Sequence, residues 1–459
     1  MSARSSSLSR KKNKYSVAEL FCGCGGFSHG FALTQRFNVV FGNDVKREAL
    51  NTFKLNHRNG LRHPLTMLKD IRAVADSDLQ KLIEESANGS LDCLIGGPPC
   101  QGFSQMRRTE ERKGSELVRF GGYNRLDQDS RNDLVLRFLE VAQVLHPKVI
   151  VIENVPQMLT HHYGGTQGGL VIHVERLLEE MGYSVNYKVL NAANYGVPQL
   201  RERAIILASR LGEINLPTPR YGDKLKPYIT VRQAIADLPV PVAQKLAEPK
   251  LVPYEDLNGL RNEYLQIMRG KNTFASNHFT RNYQDRIHQI IREMCAGETW
   301  DSATQRMQKQ YTDLIKSKRK NGESESQTKA RLIKTRLINP VFYKNYYWSA
   351  YTRLDWESPA LTITANANFL GSGRFTHPDQ DRGITMREAA RLQSFDDDFI
   401  FYTSEEGSKD RDNIGIGMDM IGEAVPPLLG QAIADEVAKH LDHQLPQTQM
   451  QKQMTLAFE

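Results

Sequence analysis

The sequence predicts an α/β protein, a mostly parallel sheet with helices on both faces, into which a second domain is inserted. Three observations predict it. Short apolar runs alternate with helical patterns from Tyr15 to Arg210, the rhythm stops among clustered prolines after Arg210, and it resumes near Arg353 to last until about His440. Short apolar runs bounded by turn residues suit buried strands, while apolar residues spaced by three and four suit helices.

The strand runs are VAELF, NVVFGND, LDCLIGG, PKVIVIENV, SVNYKVLNA and AIILASR. REALNTFKLNH, DLQKLIEESA, RNDLVLRFLEVAQVL and HVERLLEEMG read as helices between them, and TMREAARLQSF and PPLLGQAIADEVAKHL as helices of the later block. The domain plan that follows is a basic disordered tail over 1–14, a body over 15–210 plus 352–443, an inserted domain over 211–351 and a polar tail over 444–459. The start, MSARSSSLSRKKNKYS, lacks the apolar core of a secretory signal. No apolar run reaches the roughly eighteen residues of a membrane span.

Charge is unevenly placed. Leu211 to Ala350 carry 23 Lys and Arg against 14 Asp and Glu, a balance of +9 in a chain whose net charge is +7. A basic segment on a near-neutral body reads as a phosphate-facing module or as a solvated lysine-rich surface, and charge alone leaves the two even. Five cysteines, Cys22, Cys24, Cys93, Cys100 and Cys295, make no disulfide framework in a chain of 459 residues. Cys22 and Cys24 have no His or Cys cluster beside them, so no metal site is expected.

In such sheets chemistry lies in the loops beyond the strands' carboxyl ends. The first strand runs into Phe21-Cys-Gly-Cys-Gly-Gly-Phe-Ser28, where Gly23, Gly25 and Gly26 let the backbone turn and approach a ligand at the start of a helix. The second strand ends in Asp44, an acid where a ribose diol would lie. These two features leave a nicotinamide dinucleotide and S-adenosylmethionine both open. The loop after LDCLIGG breaks the tie. It reads Gly96-Gly-Pro-Pro-Cys-Gln-Gly-Phe-Ser104, a thiol held outward behind two prolines, which reads as a nucleophile rather than a packed core cysteine. VIVIENV ends in Glu153 and Asn154, and a carboxyl there is costly unless paired or catalytic. Alternation along Gln199-Leu-Arg201-Glu-Arg203 lets Gln199, Arg201 and Arg203 converge on one face.

FCGCGGFS, GGPPCQGFS, DSRNDL, ENV, YGVPQLRER and IGEAVPPLL together resemble the ordered motif series of the DNA cytosine-5 methyltransferases, bacterial type, and cover about two thirds of the chain. The resemblance implies a Rossmann-like S-adenosylmethionine-dependent methyltransferase sheet with the basic insert as target-recognition domain. It implies Cys100 as nucleophile at cytosine C6, and Glu153 as holder of a proton at N3, with a carboxyl pKa raised by burial. Arg203, with Arg201 behind it, would grip the cytosine O2, while Asn154 and Gln101 position base and loop. For S-adenosyl-L-methionine it implies Phe21, Gly23, Gly25, Gly26, Asp44, Asp70 and Ile71 (adenine edge and face), Pro99, Leu134, Glu423 and Val425, and no metal. Val45 stands where relatives often carry an aromatic, Glu19 where Asp is commoner, and Glu423 where Asn is common. Pairing of Glu423 with Arg203, Arg353 or Arg391 is the expected compensation. Gln101 to Arg131 is expected to close over a flipped base in double-stranded DNA.

Implied partners are a cognate restriction endonuclease or defence-system proteins, with no membrane, a monomeric enzyme and a cytoplasmic, nucleoid-associated place. Rival readings are a dinucleotide oxidoreductase, which gives Pro-Pro-Cys-Gln no task, a catalytically silent DNA-binding relative, and an RNA-directed homologue.

Overall fold

The computed structural model describes residues 14–458 apart from 59–61, 100–109, 114–115, 120–132, 161–165, 244–251, 255–261 and 404–412. The expected tail over 1–14 lies outside them except for Lys14. By internal contacts the chain forms two compact units. The first holds the chain up to Leu190, Arg203–Thr218 and the chain from Gly430, and the second holds Asn191–Glu202 and Pro219–Leu429. The second unit thus takes in 352–429, which the sequence assigns to the body, so compactness divides the chain differently from the motif order.

The first unit is built on β1 (Tyr15–Leu20), α1 (Gly26–Leu33), β2 (Phe37–Asp44), α2 (Arg47–Asn56), β3 (Leu65–Leu68), α3 (Asp76–Ala87) and β4 (Cys93–Gly96). A short antiparallel hairpin, β5 (Glu110–Lys113) with β6 (Glu116–Arg119), precedes α4 (Asp133–Leu145), β7 (Val149–Asn154), α5 (Gly169–Glu180) and β8 (Ser184–Asn191). After β9 (Gln199–Leu200), which belongs to the second unit, β10 (Glu202–Ser209) returns to a seven-stranded sheet of order β3-β2-β1-β4-β7-β10-β8. Pairings from β3 through to β7 are parallel, and β10 runs antiparallel to β7.

The central strands are apolar throughout because helices cover both faces of such a sheet. Val149, Ile150, Val151 and Ile152 of β7 are all 0% exposed. Helices α3, α4 and α5 send Leu79, Ile83, Phe138, Ala142, Val174 and Leu178 into one core with Leu94, Ile150 and Ile152. Each such large side chain contributes about 1.5–3 kcal/mol on burial. Strand order reverses between β1 and β4, so the loops leaving these two strands flank the switch point where ligands of open α/β sheets bind. β3 was not among the six predicted strands. It is a four-residue edge strand whose Leu65 and Leu68 are exposed, so it carries no apolar run.

In the second unit regular structure is short. It comprises α6 (Val231–Ile235), the paired strands β11 (Val242–Ala243) and β14 (Phe279–Thr280), β12 (Val252–Pro253) and β13 (Phe274–Ala275), and the helices α7 (Glu263–Arg269) and α8 (Asp285–Arg292). Then come α9 (Trp300–Lys318), α10 (Glu325–Lys334), β15 (Ala360–Leu361) beside β9, α11 (Met386–Leu392) and α12 (Ile414–Glu423). Capping boxes start α6, α9, α10 and α11. The last helix, α13 (Pro427–Phe458), runs on through the residues read as a polar tail. Among the described residues no helix is long and apolar enough to cross a membrane.

Candidate active site

Where β1 ends, the chain turns abruptly. Phe21 adopts φ 56° and Gly25 φ 90°, and Gly26 opens α1. The Gly23 N–H donates to Asp44 Oδ2 at 2.8 Å, which ties this loop to the end of β2. Asp44 Oδ1 accepts the Lys46 N–H at 2.8 Å. A carboxylate offers about four lone-pair directions, so capacity for a diol remains. Val45 beside it is 63% exposed and offers an apolar face. Phe21 is half-buried against the core, as is Leu134. The residues present therefore fit an adenosine-bearing cofactor.

Asp70 and Ile71 sit otherwise than expected. The Asp70 carboxylate caps the turn Ile71–Ala73 and pairs with Arg72 at 2.6 Å, and these hydrogen bonds hold it below the usual carboxylate range. Ile71 is 1% exposed in the core, so its side chain presents no face to an adenine.

Glu153 and Asn154 end β7, where Ile205 and Ala204 of β10 lie opposite them. Arg203 Nε meets Glu153 Oε1 at 2.7 Å, with the two side chains 14% and 11% exposed. Asn154 Nδ2 donates to the Pro98 carbonyl at 3.2 Å, while its Oδ1 accepts the Val155 N–H at 2.9 Å. The loop of Pro98 and exposed Pro99 is therefore anchored beside the Glu153–Arg203 pair. Cys100, Gln101 and most of the expected closing loop lie outside the described residues.

Gln199 and Arg201 meet at the Ile363 backbone, whereas Arg203 pairs with Glu153. The chain changes partner between them: Leu200 pairs with Leu361, and Ala204 pairs with Asn154. Arg201, 1% exposed, donates to the carbonyls of Ile363 at 2.8 Å, Gly422 at 2.8 Å and Ala424 at 3.1 Å. Gln199 binds the Leu392 carbonyl and the Ile363 N–H. Arg201 is thus a clamp on the end of α12 rather than a second guanidinium behind Arg203.

Glu423 lies within the stretch that this clamp holds. Arg203 is held by Glu153, Arg353 by Asp381 and four carbonyls, and Arg391 by Asp237 and Asp397. Glu423 itself is exposed, and the carbonyls of its backbone neighbours Gly422 and Ala424 accept from Arg201. Gly422 is what the motif needs most, because a Cβ there would stand 2.2 Å from the Thr364 carbonyl carbon. Val425 is buried at 7% exposure. Among the described residues no group of His, Cys, Asp or Glu could hold a metal ion.

Two groups at the glycine loop escaped the sequence reading, Ser28 and His57. Ser28 closes a motif quoted for its glycines, and His57 follows α2 with nothing in its spacing to single it out.

A Gly-rich turn, an acid after β2 and an anchored Pro-Pro loop beside a Glu–Arg pair define a nucleotide-type methyltransferase site on this sheet. The family model of the C-5 cytosine-specific DNA methylases matches residues 15–439, and the chain belongs to that family. It is accordingly a DNA cytosine-5 methyltransferase, and the family and fold imply S-adenosylmethionine as methyl donor. A putative type II methyltransferase of Oceanobacillus iheyensis is 30% identical, over 95% of this chain and 98% of its own. The type II methyltransferase M.AgeI of Thalassovita gelatinovora is 28% identical, over 91% and 98%. In fold, the chain is similar to a putative DNA modification methyltransferase encoded within an E. coli prophage, at TM-score 0.64 and 20% identity over 94% of this chain and all of that one.

Proposed function

We propose that the chain methylates C5 of a cytosine flipped out of a specific double-stranded DNA sequence, through a covalent bond between Cys100 and C6. The observation that carries the reading is the anchoring of the Pro98 carbonyl by Asn154, next to the Glu153–Arg203 pair. A backbone anchored at Pro98 beside a carboxyl and a guanidinium suits addition to a pyrimidine.

The Cys100 thiolate bonds to C6, and the electrons of the C5–C6 double bond move through the ring as N3 takes a proton held by Glu153. Arg203 fixes the Glu153 carboxyl and meets charge developing at O2. C5 becomes an enamine carbon able to take a methyl. The bound cofactor supplies that methyl as an electrophile on a sulfonium sulfur. Water then removes the C5 proton, the C6–sulfur bond breaks so that Cys100 leaves as thiolate, and N3 returns its proton to Glu153. The base must leave the stack because C5 and C6 are approached from the ring faces, which stacking covers. Phe21, the glycine loop, Asp44 and Val45 would hold the adenosine and methionine parts, with Leu134, Pro99 and Val425 as further contacts.

Residues 211–351 serve as the target-recognition domain in this reading, since their +9 balance suits phosphate. The type II names of the two relatives support a role in restriction–modification, and in this proposal the chain acts as a monomer on nucleoid DNA alongside a cognate endonuclease. Bisulfite sequencing of DNA from a host expressing the chain tests this. Conversion-resistant cytosines confined to one short sequence are the expected result. Methylation of tRNA but not of duplex DNA by the purified chain would overturn it.

A further inference from the structure

We propose that Glu19, Ser28 and His57 form an uncharged hydrogen-bond chain that holds the glycine loop in the shape that receives the cofactor, making all three positioning residues. The proposal rests on the reading of that loop as the S-adenosylmethionine site. Nothing in the catalytic scheme uses these groups, yet all are buried, at 3%, 0% and 2% exposure.

The proton order follows from the geometry. His57 Nδ1 lies 2.8 Å from the Phe53 carbonyl, which can only accept, so Nδ1 carries the hydrogen. Burial pushes the imidazole down to about 3, so the ring is neutral and Nε2 is an acceptor. Ser28 Oγ stands 3.1 Å from Nε2 and turns its hydroxyl proton there, in a three-centre bond shared with the Gly25 carbonyl at 3.2 Å. The Ser28 N–H donates to Glu19 Oε2 at 3.2 Å, and its hydroxyl also meets the Glu19 side chain. With the hydroxyl proton committed in this way, that second contact needs a proton from Glu19. Burial supplies this condition, since it pushes the Glu19 carboxyl up to about 8, with Asp44 and Glu153 adding to the effect against the opposing Ser28 bonds. The chain therefore runs from carboxylic acid to hydroxyl to imidazole to the Phe53 carbonyl.

Its product is the shape of the loop. Gly25 packs so closely on this floor that a Cβ would stand 2.5 Å from His57 Cε1 and 2.8 Å from Phe53 Cδ2. Ser28 Oγ also reaches the Gly25 carbonyl at 3.2 Å. Movement of the imidazole would release both.

Calorimetric titration of the full chain with S-adenosylmethionine tests the proposal, using wild type, Glu19→Gln, Glu19→Ala and His57→Ala. A glutamine offers Ser28 the same acceptor and donor as a carboxylic acid, so Glu19→Gln should bind within about threefold of wild type. Both alanine variants should weaken binding about tenfold or more, as for a lost buried hydrogen bond, with KM for the cofactor rising more than kcat falls. Glu19→Gln as weak as Glu19→Ala would mean that the anion is what the site uses, and would overturn the proposal, as would unchanged binding in both alanine variants. Failure of the wild type itself to bind would overturn the cofactor reading and this proposal with it. Should the alanine variants not fold, ¹⁵N NMR of wild-type His57 decides: a neutral Nδ1–H ring from pH 5 to 8 supports the chain, and a charged or Nε2–H ring refutes it.

Discussion

Arginine does different work in the two units. In the sheet unit the strand ladder satisfies most of the backbone, Arg137 takes the Ile71 and Val74 carbonyls, and Arg203 meets the Glu153 carboxylate at the strand ends. In the second unit there is little ladder, and guanidinium groups take over the backbone carbonyls. Arg353 binds those of Ile291, Met294, His377 and Gln380, and Arg387 those of Ser276, Asp396 and Phe399. Arg391, 0% exposed, joins Asp237 at 2.5 Å and Asp397 at 2.6 Å. A planar fork of five donors suits this task better than a lysine would. Arg203 thus faces a carboxylate where strands end, whereas Arg353 and Arg387 serve the irregular backbone around them.

The sharpest test of the comparison lies at the chemical end. Cys100→Ser should abolish turnover and leave cofactor binding nearly intact. Wild type should form a covalent adduct with duplex DNA carrying 5-fluorocytosine, since fluorine cannot leave as a cation. An adduct formed equally by Cys100→Ala would remove Cys100 from the mechanism. Next, Glu153→Gln should lower methylation by roughly 10²–10⁴-fold with a small change in melting temperature. Near-normal turnover would transfer the N3 role to another group.

The second unit should respond in the opposite sense. Arg391→Ala should cost about 3–5 kcal/mol in denaturant unfolding, because buried Asp237 loses this cation and Asp397 keeps only the longer pairing with Arg387 at 3.6 Å and the Tyr254 hydroxyl. A loss below about 1 kcal/mol would break the contrast drawn here between the two units.

Stability against pH gives a smaller, signed test. The folded Glu19 carboxyl lies at about 8 against an ordinary 4.5. The folded chain thus holds a proton that the unfolded chain loses across that window. Its contribution is fully present below the unfolded value and is lost as pH rises through the folded one. Glu19→Gln should melt close to wild type at pH 4.5 and progressively above it toward pH 8. A gap that stays flat with pH would show that Glu19 is ionised when buried. The smallest effect is expected at Lys316, Lys318, Arg319 and Lys320, exposed at the end of α9, where cations favour the helix terminus. Neutralising all four should change the salt slope of DNA binding by less than the 0.9 or so of a single phosphate contact.

Much of the fold was legible because period and apolarity decide it. VIVIEN, AIILAS and CLIG could only be buried strands, and the Pro-Pro loop had to leave the last of these. β3 was hidden because an exposed four-residue edge has no pattern. At the site, residue types were legible but partners were not. Alternation put Arg201 beside Arg203, yet strand β10 begins between them and the chain changes neighbours there. Glu423 drew attention as a charge, while the space at Gly422 is what constrains its motif. Ser28 and His57 stayed unseen since hydrogen bonds between residues 29 positions apart leave no trace in spacing.

The last helix is a wall of the first unit. A Cβ at Gly430 would stand 3.0 Å from the Phe27 carbonyl, and Asp442 accepts the Tyr15 hydroxyl at 2.7 Å and pairs with Arg36 at 2.6 Å. On the ribosome, α13 emerges only after every residue of the second unit. The nascent glycine loop thus waits, with one flank of α1 uncovered, through the synthesis of more than two hundred residues from Pro219 to Leu429. A chaperone-binding or protease-sensitive window should open on α1 during that interval and shut when the first turns of α13 arrive.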